Sequence, residues 1–207
     1  MKTIIITGPS GSGKTILSNK LAQIYKNSIV IETDSYYRDN LIIKLFAIFK
    51  YEIYDRLISI NYTEILKTID SIYNKERSII FYNYDFRRKI SRKKLTQLNK
   101  PNDISFLIIE GIFSHRLNIN YAETINILCT EKKEICYLRR LKRDQLERGR
   151  NTNEVNKKFN KSWELYFNNL MEFINKNQVI QMNPMDRKSY KKLTNRLNHL
   201  LIENKNK

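Results

Sequence analysis

Short apolar runs alternate with longer amphipathic segments along the whole chain. The runs are rich in Ile, Val and Leu, which is typical of buried parallel strands; they cover residues 2–7, 28–31, 78–81, 104–109, 124–128 and 179–182. Segments with apolar residues three and four positions apart predict helices; they cover 15–25, 40–60, 63–73, 131–148, 155–175 and 187–202. Strands that alternate with helices throughout predict an α/β fold in which helices cover both faces of a parallel sheet of about five strands.

The pattern contains no internal repeat and no linker, so we predict one domain over residues 1–207. No apolar stretch approaches the roughly 20 residues that a membrane span requires. The run at 4–6 is too short for the apolar part of a signal peptide. Cys129 and Cys136 form neither a disulfide framework nor a metal-binding spacing with the histidines. We therefore expect a cytoplasmic protein without a membrane partner.

The charge balance is strongly basic, with 38 Lys and Arg against 21 Asp and Glu and a formal net charge of +17. Such an excess attracts anionic small molecules and polyanions alike. Lysine also belongs to a general bias of this chain toward Ile, Lys, Asn and Tyr. The charge therefore names no partner, and without a recognised nucleic-acid-reading motif we do not expect nucleic acid to be one.

Three of the five glycines lie in residues 8–15, between the first predicted strand and the first predicted helix. This stretch satisfies the pattern G-x-x-x-x-G-K-[ST] in full. The backbone N–H groups of such a loop and the positive end of the following helix bind phosphate. We expect Lys14 to bridge the β- and γ-phosphates and the Thr15 hydroxyl to ligate Mg²⁺. The predicted nucleotide-binding residues here are Gly8, Pro9, Ser10, Gly11, Ser12, Gly13, Lys14 and Thr15.

Two acidic residues follow predicted strands. Asp34 comes after the second strand, and Glu110 ends the apolar stretch 106–110. Ligands of open α/β sheets gather beyond the carboxyl ends of the strands, so both side chains should face the phosphate loop. Asp34 could accept the proton of an attacking hydroxyl, or it could cap a turn. Glu110 matches the position of a Walker B acid, which orients Mg²⁺ and its waters.

Residues 139–150 contain five arginines in twelve positions. Guanidinium groups bind phosphate oxygens and neutralise the charge of a transferring phosphoryl group. This arginine-rich segment predicts a lid over about 139–153 that closes over the nucleotide. A solvated basic helix face is the alternative. On the lid reading, Arg143 acts with Asp34 and Lys14 in catalysis.

The chain resembles the uridine kinase (uridine–cytidine kinase) family of P-loop kinases. The resemblance rests on 8–15, 34–38, 84–86, 109–112 and 139–150, which occur in the family order. It implies the three-layer fold of P-loop NTPases, with ATP and Mg²⁺ as cofactors. It also implies that the protein transfers the γ-phosphate to the 5′-hydroxyl of uridine or cytidine, and that it forms a homo-oligomer.

Roles for individual residues follow from this resemblance alone. By it, Asp34 is the general base on the 5′-hydroxyl, and Thr15 and Glu110 share the Mg²⁺ ion. Arg140 and Arg143 would contact the ATP phosphates. The acceptor-binding residues that it implies are Asp34, Tyr37, Asp55, Tyr84, Arg148 and Arg150.

Two segments depart from the family pattern. Family members carry a base-recognising histidine a few residues after Tyr-Asp-Phe, where this chain has Arg-Arg-Lys at 87–89. The Phe-Asp-His-Pro segment of the family is also absent, and Glu-Ile-Tyr-Asp-Arg occupies 52–56. Both belong to the nucleoside pocket, and a basic pocket suits an acceptor that already bears phosphate. A kinase for another small metabolite, as in phosphoribulokinase-like chemistry, and an NTP-dependent nucleic-acid-binding module remain alternatives.

Two further aromatic features are open to interpretation. His115 follows the predicted strand with Glu110 and could line the crevice or serve as a structural histidine. Trp163, Tyr166, Phe167 and Leu170 have helical spacing, which predicts core or a subunit interface rather than a stacking platform.

Overall fold

The computed structural model describes residues 1–41, 43, 45, 56–117, 119, 124–167 and 170–205. The strands within this part of the chain are β1 (Lys2–Thr7), β2 (Ser28–Glu32), β3 (Ser78–Asp85), β4 (Ile90–Gln97), β5 (Phe106–Glu110), β6 (Thr124–Cys129) and β7 (Val179–Met182). The helices discussed below are α1 (Lys14–Ile24), α2 (Tyr62–Tyr73), α3 (Lys133–Arg148), α4 (Thr152–Phe167), α5 (Leu170–Lys176) and α6 (Arg187–Lys205).

A parallel sheet of five strands forms the middle of the molecule, in the order β2-β5-β1-β6-β7. Every residue of β1 and β5 is buried, because helices cover both faces of these central strands. The predicted α/β fold with about five parallel strands is confirmed. The strands run in the same direction, so their carboxyl ends, among them Thr7, Glu32 and Glu110, meet at one edge.

Alternate residues of the strands face two separate apolar cores. On one face, Ile4 and Ile108 pack in a cluster with Leu17 and Leu21 of α1 and Leu197 of α6. On the opposite face, the cluster contains residues of β5, α2, β3, α4 and α5; among its members are Leu107, Ile109, Ile65, Ile69, Ile72, Ile79, Tyr166 and Leu170. The two cores make the protein a helix–sheet–helix sandwich, as expected.

The alternation of strands and helices breaks at residues 78–97. The predicted strand 78–81 is present but longer, and within the described part of the chain it pairs with β4 alone, in an antiparallel hairpin outside the parallel sheet. The expectation of alternation throughout is therefore wrong here. β4 reads Ile-Ser-Arg-Lys-Lys-Leu-Thr-Gln and is mostly exposed, so it lacks the apolar run by which the other strands were recognised.

The predicted helices agree closely with α1, α2, α3 and α6. The segment 155–175 is covered by α4 and α5, with 168–169 outside the described residues. Of the predicted helix 40–60, Leu41, Ile43 and Leu45 are helical and 46–55 lie outside the described residues. Leu57–Ser59 is a 3₁₀ helix, so the end of that prediction is wrong. None of the helices in the described ranges is long and apolar enough to cross a membrane.

Helix α4 rests against the phosphate loop through aromatic side chains. Trp163 is half-buried between Phe159 and Phe167, with ring centroids 5.5 and 5.0 Å away. Together with Tyr166 it lines a small cavity whose opposite wall includes Ser10 of the loop. The core position predicted for Tyr166 is confirmed, since 2% of its surface is exposed.

His115 is a buried histidine at the carboxyl edge of the sheet. Its Nδ1 lies 2.8 Å from the Thr7 hydroxyl, and its ring packs on Phe173 at 5.2 Å. Burial, with a smaller contribution from Arg116, lowers the pKa of His115 to about 4. The residue is therefore a neutral structural histidine at physiological pH.

Candidate active site

The phosphate loop turns between β1 and α1 with two glycines in the left-handed region, Gly11 at φ 88° and Gly13 at φ 93°. A Cβ on Gly11 would overlap the backbone carbonyl of Cys136 in α3, so only glycine fits at this close approach. Lys14 is 7% exposed and donates to the Pro9 carbonyl at 3.2 Å. The loop backbone is thus held in the shape of an anion-binding turn against α3.

Thr15 and Glu110 meet where the loop passes the end of β5. The Thr15 hydroxyl donates to Glu110 Oε1 at 2.8 Å. Burial raises the pKa of Glu110 to about 7; Lys14 opposes this, and the nearby Asp34 and Glu32 add to it. Glu32 was not singled out from the sequence, although it stands opposite Glu110 in the strand register.

The oxygens at this position fit Mg²⁺, which prefers one or two protein oxygens together with phosphate and water. A hydroxyl and a carboxylate 2.8 Å apart are such a donor set. Among the described residues no group of three His, Cys, Asp or Glu could enclose a metal ion by itself.

Asp34 lies in a short 3₁₀ helix, Thr33–Tyr36, which directly follows β2. Its Oδ1 atom is buried and has no hydrogen-bond partner among the described residues. Buried carboxylate oxygens are almost always hydrogen-bonded. The side chain lines a cavity that Tyr37 and Tyr84 also line. An unsatisfied acceptor in such a place is suited to a hydroxyl group of a ligand.

Three aromatic rings form one wall of this cavity. Tyr84 lies 5.3 Å from Tyr37 and 5.1 Å from Phe86, both in edge-to-face geometry. Tyr37 and Phe86 are 5.9 Å apart. The Arg148 guanidinium stacks on the outer part of this wall, 3.9 Å from the centre of the Phe86 ring. We will call Tyr37, Tyr84 and Phe86 the aromatic wall; such a surface accommodates a flat apolar ring.

Four of the five arginines of 139–150 surround a single buried carboxylate, Asp144, whereas Arg139 pairs with Glu131. The oxygens of Asp144 lie 2.9 Å from Arg143, 2.7 Å from Arg150, 3.5 Å from Arg148 and 3.7 Å from Arg140. Burial alone would raise the pKa of Asp144, but the four guanidinium groups outweigh burial and hold it below its usual range. This arginine cluster is therefore preassembled, with four positive charges on one negative charge.

Two arginines connect α3 directly to the phosphate loop. The Arg143 guanidinium donates to the Ser10 hydroxyl at 3.3 Å, and that of Arg139 donates to the Gly11 carbonyl at 3.2 Å. The arginine-rich helix thus lies on the loop in this structure.

Eight of the residues predicted from the sequence come together around one cavity, whose lining does not include Lys14, Thr15 or Glu110. The predicted residues that line it are Ser10, Asp34, Tyr37, Tyr84, Arg140, Arg143, Arg148 and Arg150. Arg140 is only 3% exposed and donates to Ser162 at 2.6 Å, so it lies deeper than a residue on an open lid surface. Asp55 lies outside the described residues. The roles given to all these residues remain predictions.

The structure adds residues that the sequence did not single out. Besides Asp144 and Glu32, these are the cavity-lining residues Phe86, Ile112 and Lys158; Lys89, which also lines the cavity, belongs to the basic segment 87–89 noted in the sequence. Phe86 belongs to the segment 84–86 and could have been recognised from it. Lys158 could not, because it is one of many lysines and is separated from the other lining residues by the helix start at Thr152.

The sequence matches known kinases over most of its length. A family model described as phosphoribulokinase / uridine kinase matches residues 3–186. A uridine kinase of Ureaplasma parvum serovar 3 is 32% identical over 161 residues, which is 73% of either chain. A uridine kinase of Alkaliphilus metalliredigens is 31% identical over 160 residues, 72% of this chain and 71% of its own.

Solved structures with the same fold are more distant in sequence. A deoxyadenosine kinase from M. mycoides, with bound dATP, has a TM-score of 0.52 at 15% identity and covers 95% of this chain and 99% of its own. A protein from Bacillus stearothermophilus described as a possible uridine kinase has a TM-score of 0.52 at 14% identity, covering 87% and 88%. At these identities the likeness concerns the fold alone.

Proposed function

The chain belongs to the phosphoribulokinase / uridine kinase family, and we propose that it transfers the γ-phosphate of ATP to the 5′-hydroxyl of uridine or cytidine. Membership makes it an ATP-dependent phosphotransferase with an alcohol as acceptor. The observation that carries the choice of acceptor is the unsatisfied Oδ1 of Asp34 beside the aromatic wall. The 5′-hydroxyl of a nucleoside can donate to this oxygen while the flat base, carried by the same ribose, lies along the aromatic wall.

In this proposal each side chain has a defined task. Asp34 accepts the proton of the acceptor hydroxyl, whose oxygen forms the new bond to the γ-phosphorus while the bond to the β-phosphate oxygen breaks. Lys14 and the arginine cluster neutralise the phosphate oxygens as ADP leaves. Thr15 and Glu110 would hold Mg²⁺, which when bound neutralises the β- and γ-phosphates.

We also infer that residues 1–207 act as one domain and that 139–153 closes over the nucleotide as a lid. Gly149, at φ 65°, ends α3 inside this segment, and Asn151 caps α4 through its contact with the backbone N–H of Glu154. The segment therefore contains a helix end and a helix start. Such a junction is where a change in backbone angles would tilt α3.

The experiment is an ADP-formation assay with ATP and Mg²⁺, using uridine, cytidine, ribulose 5-phosphate, pantothenate or no acceptor. We expect turnover with uridine or cytidine, and a decrease in kcat of at least about 100-fold in Asp34→Asn, because a general base contributes roughly 10²–10⁴-fold. Asp103→Asn is the control, since Asp103 forms an exposed ion pair with Lys100. Equal turnover in the two variants would exclude Asp34 as the base.

A phosphorylated acceptor is the second candidate, and Lys89 is the observation that favours it. Lys89 lines the cavity next to the aromatic wall, and no ion pair of its ammonium group is seen among the described residues. A cation at this position suits the phosphate of a sugar phosphate. Turnover with ribulose 5-phosphate and none with nucleosides would select this candidate and leave the role of Asp34 unchanged.

A further inference from the structure

We propose that Arg87 is a positioning residue, which fastens the tip of the β3–β4 hairpin to the carboxyl end of α3 and thereby holds Arg148 at the acceptor cavity. The fastening is a contact between two elements that are distant in sequence. Its catalytic consequence rests on the proposed function, because Arg148 and the aromatic wall belong to the proposed acceptor site.

The first observation is a pair of hydrogen bonds at the end of α3. The last four carbonyl groups of an α-helix have no partner within the helix. Arg87 supplies hydrogen-bond donors for two of these carbonyl groups. Its Nε donates to the Glu147 carbonyl at 2.5 Å, and its Nη2 donates to the Leu146 carbonyl at 2.9 Å. A cation at this position is also favoured by the helix dipole. Arg87 thus binds the helix end both by geometry and by charge.

The second observation is that the hairpin tip has a fixed shape. Asp85 Oδ1 accepts the backbone N–H groups of Arg87 and Arg88, each at 2.9 Å. The Lys89 backbone N–H donates to the Asp85 carbonyl at 2.7 Å, and Lys89 has a φ of 55°. Both the side chain and the carbonyl of Asp85 therefore fix the backbone of this turn. The direction of the Arg87 side chain is set by that backbone.

The third observation is that the neighbouring residue of the same turn contacts the same helix end. Phe86 lies under the Arg148 guanidinium at 3.9 Å, and Arg148 is also paired with Asp144 at 3.5 Å. Arg87 and Phe86 together therefore bind the last turn of α3. The aromatic wall and the arginine cluster are joined through this contact, and they should move as one unit.

Arg88 provides a matched control for Arg87. It is the next residue, it is also exposed, and its side chain pairs with Asp85 at 3.8 Å. No contact of Arg88 with α3 is seen among the described residues. Removing Arg88 changes the net charge by the same amount as removing Arg87 but leaves the helix end bound.

Hydrogen exchange of the free protein tests the fastening, without any acceptor. In Arg87→Ala we expect peptides that cover 141–150 to exchange at least about fivefold faster, while Arg88→Ala exchanges like the unmodified protein. Arg87→Lys, with a single donor group, should lie between them. Equal exchange in Arg87→Ala and Arg88→Ala would overturn the proposal.

Steady-state kinetics test the positioning of Arg148. We expect Arg87→Ala to raise the KM for the acceptor about tenfold and to leave the KM for ATP within twofold. In an Arg148→Ala background the same change should have less than a twofold effect, because Arg87 acts through Arg148. Independent effects of the two substitutions would overturn the positioning role. Failure of the proposed function would appear differently, as absent nucleoside turnover in the unmodified protein.

Discussion

At the scale of single residues, the arginine cluster depends on one carboxylate. Asp144 is fully buried and faces Arg140, Arg143, Arg148 and Arg150. In Asp144→Asn these guanidinium groups lose their counter-charge, and buried charges without a partner are costly. We expect the free energy of unfolding to fall by about 3 kcal/mol, a value at the low end for a buried pair because Arg143 is one third exposed. Urea denaturation measures it.

The matched control for this change is Asp103→Asn, which removes an exposed carboxylate paired with Lys100. Exposed pairs contribute little, so the denaturation midpoint should barely move. Pyrophosphate should restore more stability to Asp144→Asn than to the unmodified protein, because its charge replaces the lost carboxylate. Equal midpoints for the two variants would show that the cluster does not need Asp144.

His115 predicts how stability depends on pH. Its pKa is about 4 in the folded protein and about 6.5 when unfolded. The unfolded chain therefore binds a proton that the folded protein does not, and stability is lost as the pH falls from about 6.5 to about 4. The contribution is roughly 3 kcal/mol between pH 7 and pH 4. His115→Asn should flatten the measured curve by this amount. His199→Asn, at the exposed histidine, should not; identical curves for both variants would refute the assignment.

Residues next to strand ends and the arginines of 139–150 could be found from the sequence, and Asp144 could not. Asp34 and Glu110 follow apolar strands, so their position at the carboxyl edge of the sheet could be derived. Asp144 lies in a run of charged residues, a pattern that normally indicates a solvated helix face. Its burial depends on the packing of α3 against α4 and the loop, which local periodicity does not contain.

At the scale of elements, the phosphate loop and α3 touch through their backbones at Gly11, in addition to the hydrogen bonds of Arg139 and Arg143. A methyl group on Gly11 would overlap the Cys136 carbonyl, and Gly11 has φ 88°. Gly149 is a matched control with φ 65°, because a Cβ there meets nothing within 4 Å. We expect Gly149→Ala to cost about 1 kcal/mol and to keep ATP binding. Gly11→Ala should weaken ATP binding more than tenfold, as measured by calorimetry. Similar affinities for both variants would contradict this account of the contact.

The β3–β4 hairpin is the element that differs most from the pattern of apolar runs, because β4 has no such run and β3 lies outside the parallel sheet. β3 has the apolar residues of a strand, but Ile79 packs into the same core as the α2 side chains rather than inside the sheet. β4 pairs with β3, and beyond this hairpin its Ser91 backbone N–H donates to Asp39 Oδ2 at 3.0 Å. A strand whose stability comes from pairing and not from burial carries no apolar signal, so the pattern could not predict it.

At the scale of the whole molecule, the fold class could be predicted because β1 and β5 are buried along their entire length. Strands covered on both faces have continuous apolar sequences, and the helices that connect them allow the strands to run parallel. The order β2-β5-β1-β6-β7 could not be predicted in this way. All five strands have similar apolar runs, so the pattern does not tell which strands are neighbours. Their order depends on the paths that the connections take around the sheet.

Trp163 is the single tryptophan of the chain, and it lies across a small cavity from the phosphate loop. The protein therefore has a single intrinsic tryptophan fluorophore near the loop. Its tryptophan emission arises from one indole ring, in the aromatic row of α4 that lines this cavity together with Ser10. We expect phosphate in the loop to alter the surroundings of this indole ring, so the tryptophan emission of the unlabelled protein should report nucleotide binding.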